Sequence, residues 1–220
     1  MLEIKNLSKS YGNVVALNNV SFDIKDGEFV FLTGHSGAGK TTLLRLLLRQ
    51  ILPDSGQIIF DGVDIVNLKK QEVPKIRQRM GVVFQDFKIL PERTVRENIE
   101  VALAVINLPK GEWKARVNHI LDLVELSERA DFFPAQLSGG ELQRVAMARA
   151  LVVNPKIILA DEPTGNLDWV TAEKIISLFD HVNKEGKTVI IATHNQAIVA
   201  KMKKRVIELK AGEIVRNEYL

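Results

Sequence analysis

The 220-residue sequence has no cysteine and no long apolar run. Without cysteine a disulfide framework is impossible, and a cytoplasmic setting fits this composition. No apolar stretch approaches the roughly 18 residues that a membrane-spanning helix needs. The first residues mix charged with apolar side chains, so we do not expect a signal peptide. If the protein acts at a membrane, we expect another chain to provide the span.

The sequence also lacks a strong excess of charge. Its net charge of +3 is too small to argue for binding to nucleic acid or to an anionic membrane. Apolar residues make up 46% and charged residues 26%, which is the balance of an ordinary globular protein. A length of 220 residues allows one α/β domain with a sizeable core and is short for two independent domains, so we interpret residues 1–220 as a single domain. No internal repeat or low-complexity tract is visible.

Two kinds of strand pattern occur along the chain. Residues 19–24 alternate between apolar and polar side chains and predict an antiparallel strand, with a second short strand over residues 57–60. Other runs are apolar without alternation, which is typical of parallel strands buried on both faces. These runs cover residues 29–32, 82–84, 157–160 and 189–192.

Helical patterns separate these runs. Apolar residues recur at helical spacing within residues 41–50, 113–124 and 175–182. Strands that alternate with helices predict a mostly parallel α/β sheet. Residues 86–143 contain no convincing strand, so we expect a helical subdomain inserted between two core strands, with a loop at residues 109–111.

A glycine-rich motif lies between the first buried strand and the helix after it. Residues 34–41 read GHSGAGKT and match G-x-x-x-x-G-K-[ST] in the strand-to-helix context that a phosphate-binding loop requires. Its backbone N–H groups and the helix N-terminus favour anions. We expect Lys40 to reach the β- and γ-phosphates, Thr41 to bind Mg²⁺ and Thr42 to reach the α-phosphate. The predicted nucleotide-binding residues of this loop are Gly34, His35, Ser36, Gly37, Ala38, Gly39, Lys40, Thr41 and Thr42.

A chance glycine-rich turn is the alternative interpretation, and the flanking strand and helix argue against it. The motif alone predicts only a P-loop nucleoside triphosphatase (NTPase). Kinases, GTPases, helicases and transporters all remain open at this point.

Two carboxylates, Asp161 and Glu162, end the buried run of residues 157–160. Ligands bind at the carboxyl ends of strands in α/β sheets, so both acids should lie near the phosphate loop. We expect Asp161 to hold Mg²⁺ and Glu162 to activate the attacking water. A solvated turn at the end of a strand is the alternative.

Two further strand ends carry candidate site residues. His194 follows the run of residues 189–192, from which it would contact the γ-phosphate or orient the water. A structural histidine is the alternative. Gln85 follows residues 82–84, and its amide oxygen would complete the metal shell or bind the water; this indication is weak when taken alone.

A second helix start also has the features of an anion site. Ser138 and Glu141 form a predicted capping box, and Gly139 and Gly140 leave the first N–H groups of the helix open to an anion. Because the P-loop already surrounds one terminal phosphate, this helix start is best explained as serving a nucleotide held by another subunit. A two-fold homodimer would then bury two ATP molecules. An ordinary capped helix is the alternative.

The residues LSGGE at 137–141, between a P-loop and an acidic strand end, resemble the signature of ATP-binding-cassette (ABC) proteins. The resemblance extends over nearly the whole chain. It implies an ABC-type P-loop ATPase fold: a mostly parallel core sheet flanked by helices, an N-terminal antiparallel β-subdomain and an inserted helical subdomain. It also implies that Tyr11 stacks on adenine with Ala16 nearby, and that residues 164–168 cross the dimer interface.

Six stretches, at residues 32–40, 71–74, 84–86, 93–95, 133–137 and 164–168, most resemble family members that act in cell division. That likeness implies an ATP hydrolase that binds ATP and Mg²⁺ and lies peripherally on the cytoplasmic face of the cell membrane. It also implies an FtsX-like integral membrane partner, through which ATP-driven motion regulates cell-wall hydrolysis in cell division. An ATPase of a lipoprotein-release or efflux complex is one alternative, and a soluble nucleic-acid-associated cassette is another; we expect no nucleic-acid partner. Phe84, Phe87, Ile89 and Leu90 either form a partner groove or pack in the core.

Overall fold

The computed structural model describes all 220 residues, which form ten strands and seven α-helices. The strands are β1 (Leu2–Tyr11), β2 (Val14–Ile24), β3 (Phe29–Thr33), β4 (Ser55–Phe60), β5 (Val63–Asp64), β6 (Met80–Phe84), β7 (Ile157–Asp161), β8 (Thr188–Ala192), β9 (Arg205–Lys210) and β10 (Glu213–Tyr219). The helices are α1 (Lys40–Leu47), α2 (Val73–Arg77), α3 (Val95–Val105), α4 (Lys110–Leu123), α5 (Gly139–Leu151), α6 (Trp169–Lys184) and α7 (Gln196–Met202).

The strands form two sheets. The smaller sheet has the order β2-β1-β4-β5 and is antiparallel throughout. The larger sheet has the order β10-β9-β3-β8-β7-β6, in which every pairing is parallel except that of the edge strand β10 with β9. The carboxyl ends of β3, β6, β7 and β8 therefore meet at one edge, as the sequence predicts.

The larger sheet separates two apolar cores. In β3, Phe29 and Phe31 face a core shared with α3 to α6, whereas Val30 and Leu32 face a core shared with α1 and the smaller sheet. Because both faces of β3 are covered, its sequence shows no alternation. In contrast, the three apolar residues of 19–24 are buried while their neighbours are exposed, which confirms the antiparallel pattern.

The chain between β6 and β7 contains helices and two short 3₁₀ turns but no strand, as expected for residues 86–143. Two boundaries were predicted wrongly. The first helix ends at Leu47 rather than at residue 50, and Lys110 and Gly111 lie inside α4 rather than in a loop. Pro109 is the N-cap of α4, a position where the absence of its N–H is tolerated. No helix has both the length and the apolar character needed to cross a bilayer.

Candidate nucleotide-binding site

An open cleft of about 620 Å³ lies at the carboxyl edge of the larger sheet. It brings together the residues predicted to bind ATP from one chain: Tyr11, Ala16, Gly34, His35, Ser36, Gly37, Ala38, Gly39, Lys40, Thr41, Thr42, Gln85, Asp161, Glu162 and His194. Val14, Gln196 and Glu208 also line the cleft and carry no motif that would have marked them in the sequence. The predicted residues Ser138, Gly139, Gly140 and Glu141 are not part of it.

The glycine-rich loop is tightly packed against its surroundings. Gly39 has φ +109°, and a Cβ atom there would lie 2.4 Å from the carbonyl oxygen of Ala16. Gly34 has φ +139°, and its Cβ would lie 2.3 Å from the carbonyl oxygen of Leu209. Any side chain at either position would force the backbone apart, so glycine is required there.

Lys40 is buried at the centre of this loop, with 7% of its surface exposed. Its Nζ atom donates to the carbonyl oxygen of Gly34 at 2.6 Å and to that of His35 at 3.3 Å. Its nearest carboxylate is that of Glu162, whose Oε1 lies 3.7 Å away. The ammonium group is thus held in place mainly by backbone dipoles, which leaves its charge to act on an anion in the cleft.

Thr41 and Asp161 form the candidate magnesium site. The Thr41 hydroxyl donates to Asp161 Oδ1 at 3.3 Å across 120 positions of sequence. Burial raises the pKa of Asp161, and the neighbouring charge of Glu162 raises it further, whereas the Thr41 hydrogen bond lowers it. A hydroxyl and a carboxylate suit Mg²⁺, which takes few protein ligands and completes its shell with phosphate and water. The chain has no group of three or more His, Cys, Asp or Glu residues that could hold a metal ion.

Glu162 and His194 are paired directly. His194 Nδ1 lies 2.8 Å from Glu162 Oε1, and the His194 backbone N–H donates to Glu162 Oε2 at 3.3 Å. Glu162 itself adopts the left-handed conformation with φ +46°, and its N–H donates to the carbonyl of Ala192. A strained residue that is fixed by its neighbours at the end of a strand is typical of functional sites. The pair is therefore suited to hold and polarise a water molecule.

Gln85 is oriented by Asn166, a contact that the sequence did not predict. Gln85 Nε2 donates to Asn166 Oδ1 at 3.2 Å, and Asn166 Nδ2 donates back to the Gln85 carbonyl at 3.2 Å. A Cβ at Gly165 would lie 2.9 Å from Gln85 Nε2, so glycine permits this close approach. The arrangement leaves the Gln85 amide oxygen free for a metal or a water.

The predicted capping box at the start of α5 is present. The Glu141 N–H donates to Ser138 Oγ at 3.3 Å, and Glu141 Oε2 accepts from the Ser138 N–H at 2.8 Å. These Ser138 contacts, with Arg129, hold the pKa of Glu141 below its usual value. Ser138 and Gly139 are exposed, so the helix start faces solvent rather than the cleft of its own chain. Gly140 is buried, and its Cβ would lie 2.4 Å from Thr171 Cγ2; packing against α6 explains this glycine.

The four apolar residues expected either to form a partner groove or to pack in the core do not all lie in the same environment. Two of them are Phe87 and Ile89. Both side chains pack against the core that lies beside α3 to α6, which favours the core-packing alternative for them. Phe84, in contrast, lines a second cleft of about 540 Å³ on the other side of Gln85, together with Leu44 and Leu48 of α1 and its C-cap. Leu90 is 40% exposed and lies outside this cleft.

Comparison with known proteins supports the resemblance to ABC proteins that the sequence motifs indicate. A sequence profile of the ABC transporter family matches residues 17–165. The chain is 49% identical over 219 residues to the cell division ATP-binding protein FtsE of Bacillus subtilis (strain 168), covering 99% of this chain and 96% of the relative. It is 44% identical over 215 residues to FtsE of Escherichia coli (strain K12), covering 97% of each chain.

Solved structures share the fold over the whole chain. A dimeric bacterial ABC transporter cassette, MJ0796, superimposes with a TM-score of 0.90 at 42% identity and covers 100% of this chain and 99% of its own. The post-hydrolysis dimer of the same cassette, bound to ADP and Pi, matches with a TM-score of 0.89 at 41% identity and the same coverage. Since the family profile covers more than half of the sequence and these relatives match it over nearly its whole length, the chain belongs to the ABC transporter family and is an ABC-type ATP hydrolase.

Proposed function

We propose that the chain is the FtsE-like ATP-hydrolysing subunit of a membrane-associated ABC complex in cell division. Two copies would bind two Mg·ATP between them, each ATP held by the cleft of one copy and by the α5 start of the other. One observation supports this arrangement most directly. The cleft contains every predicted ATP-binding residue except Ser138 to Glu141, and the start of α5 is exposed. The two dimeric cassette structures at 41 and 42% identity support it further.

Each side chain then has a defined task. Tyr11 is 46% exposed at the mouth of the cleft and offers its ring for stacking on adenine. The P-loop N–H groups and Lys40 bind the phosphates, and Thr41, Asp161 and Gln85 provide oxygen ligands for Mg²⁺. Bound Mg²⁺ would neutralise charge that develops on the phosphoryl oxygens.

Hydrolysis depends on the pair of Glu162 and His194. Glu162 accepts a proton from the attacking water, and His194 fixes the carboxylate through the 2.8 Å contact. Lys40 stabilises the charge of the transferring phosphoryl group. Loss of the terminal phosphate removes the anion that joins the two chains, so the dimer relaxes and moves a docked partner.

The proposed partner is an FtsX-like integral membrane protein, with this chain bound peripherally on the cytoplasmic face of the membrane. The cleft beside Gln85 offers a receiving surface for a short helix. Its lining includes the apolar Leu44, Val82 and Phe84 and the charged Arg45 and Lys88. This cleft shares Gln85, Thr41 and Asp161 with the nucleotide cleft, so a helix docked there would contact residues that also bind the nucleotide and its metal ion.

Two experiments test the proposal. The ATPase rate per chain should rise with protein concentration and reach a plateau as dimers form, because each site needs two chains. A rate that is flat on dilution, in a sample that sedimentation shows to be monomeric, would contradict the shared site. Co-purification from membranes, with mass-spectrometric identification, should yield an FtsX-like subunit; a lipoprotein-release or efflux permease in its place would refute the cell-division role.

A further inference from the structure

The loop that follows β6 carries Gln85 and is held from three sides. On the side of the catalytic strand, Gln85 and Asn166 exchange the two hydrogen bonds described above. Further along the loop, Asn98 of α3 is fully buried and accepts from the Leu90 N–H while donating to the carbonyls of Leu90 and Arg93. Both ends of the loop are therefore fixed by side-chain amides.

The middle of the loop is held by Arg149 from helix α5. Its Nη1 donates to the carbonyl of Lys88 at 2.6 Å, and its Nη2 donates to that of Phe87 at 3.0 Å. These two loop residues have φ +50° and +57°, so two consecutive non-glycine residues adopt the left-handed conformation. That conformation is unfavourable for side chains other than glycine, and the guanidinium fork is what stabilises it here.

Arg149 has no carboxylate partner. It takes part in no ion pair, and burial lowers the pKa of its guanidinium. A partly buried cation is costly, and an apolar side chain of similar length would fill the same space without that cost. The only side-chain hydrogen bonds of Arg149 fix the backbone of the loop, which indicates a positional role.

The place of Arg149 on its helix gives this contact its significance. Helix α5 begins at Gly139, next to the exposed Ser138, and Arg149 lies in its last turn. The helix between them is about 15 Å long and rigid. One end of α5 is the helix start that would bind the other subunit's nucleotide, and the other end holds the loop that presents Gln85 to its own cleft.

We propose that Arg149 is a positioning residue, which fixes the loop of Gln85 to helix α5 and so links the helix start at Ser138 to the catalytic cleft of the same chain. This inference rests on the proposed ATP-driven dimer, since the link matters only if both ends contact nucleotide. Arg149 touches neither the phosphate loop nor the carboxylates, so it acts on turnover through Gln85 and leaves nucleotide binding to the P-loop.

The test compares Arg149→Met and Arg149→Lys with Arg116→Met in purified full-length protein. Arg116 is a partly buried arginine of α4 that makes no hydrogen bond to the loop. For Arg149→Met we expect kcat to fall by about ten-fold or more while KM for ATP changes less than about three-fold, as for a misplaced catalytic group. Arg149→Lys keeps the charge but loses the fork and should recover part of kcat. Arg116→Met should match the parent protein.

A double-mutant cycle with Gln85→Ala separates positioning from general destabilisation. If Arg149 acts through Gln85, then Arg149→Met should reduce kcat only slightly further in the Gln85→Ala background. Full additivity of the two losses, or a parent-like kcat for a folded Arg149→Met, would overturn the inference. If Arg149→Met does not fold, the same cycle with Arg149→Lys decides. Failure of the parent protein to hydrolyse ATP would instead refute the proposed function, so the two failures are distinguishable.

Discussion

Replacing Glu162 by glutamine tests the proposed chemistry with the smallest change in shape. The amide keeps the size of the carboxylate and its contact with His194, but it cannot accept a proton from water. The charge next to Lys40 also disappears, since Glu162 Oε1 lies 3.7 Å from the Lys40 ammonium. We therefore expect Glu162→Gln to bind ATP, to fail in hydrolysis and to accumulate as a dimer.

The size of both effects follows from the geometry. A positioned general base contributes about 10² to 10⁴ in rate, so kcat should fall by that factor, which corresponds to about 3–5 kcal/mol of transition-state stabilisation. At 3.7 Å and an effective dielectric constant of about 20, the attraction between Glu162 and Lys40 is about 4 kcal/mol. Without the Glu162 carboxylate, the Lys40 ammonium group interacts more strongly with the phosphates of ATP, so the affinity for ATP should be retained or increased.

Three measurements check this prediction. Phosphate release at saturating ATP gives kcat, a fluorescent ATP analogue gives affinity, and sizing with and without ATP gives the dimer fraction. Glu185→Gln is a matched control, because Glu185 is an exposed carboxylate at the C-cap of α6, away from the cleft. If kcat of Glu162→Gln stays within a few-fold of the parent protein, Glu162 does not activate water.

Three other perturbations have expected outcomes. Lys40→Ala should abolish ATP binding in a titration, because the ammonium group of Lys40 is the only charged group among the side chains of the phosphate loop; unchanged affinity would contradict this. Gln143→Met should raise the free energy of unfolding by about 1–3 kcal/mol in urea melts, because both amide atoms of Gln143 are buried without a partner; a loss of stability would mean that the amide is satisfied. Hydrogen bonds from Tyr219 and Arg205 outweigh burial and lower the pKa of Glu28, so its stabilisation is full at neutral pH and lost as pH falls through that lowered pKa. Glu28→Gln should therefore reduce the difference in stability between pH 7 and about pH 3, and an unchanged difference would refute the assignment.

The sequence predicted the core of the fold well where burial alone determines the pattern. The central parallel strands are covered on both faces, so their apolar runs are continuous and easily seen. The capping box of Ser138 and Glu141 was also predictable, because it depends on side chains only three positions apart. Most of the cleft could be predicted for a related reason: apart from Tyr11 and Ala16, which only the family resemblance indicated, each predicted residue of the cleft lies at the end of a buried strand or in the P-loop.

The contacts that orient the site could not be predicted in this way. Gln85 pairs with Asn166, and Arg149 holds the carbonyls of Phe87 and Lys88, across separations of 61 to 81 residues. Periodicity and spacing report only local neighbours, so neither contact leaves a pattern. The C-terminal hairpin of β9 and β10 was not predicted either, because most residues of its edge strand are exposed and its sequence shows no clear alternation.

The sharing of each site by two chains is tested most directly by mixing two inactive variants. Lys40→Ala disables the phosphate loop, and Ser138→Asp places a negative charge at the start of α5 while it preserves an N-cap residue. Thr94→Asp, the same change in the capping box of α3, is the control and should remain active. Random pairing of the two inactive chains leaves roughly one quarter of the composite sites intact, so a 1:1 mixture should recover about that fraction of parent ATPase activity. A mixture that stays as inactive as its components would contradict the shared site.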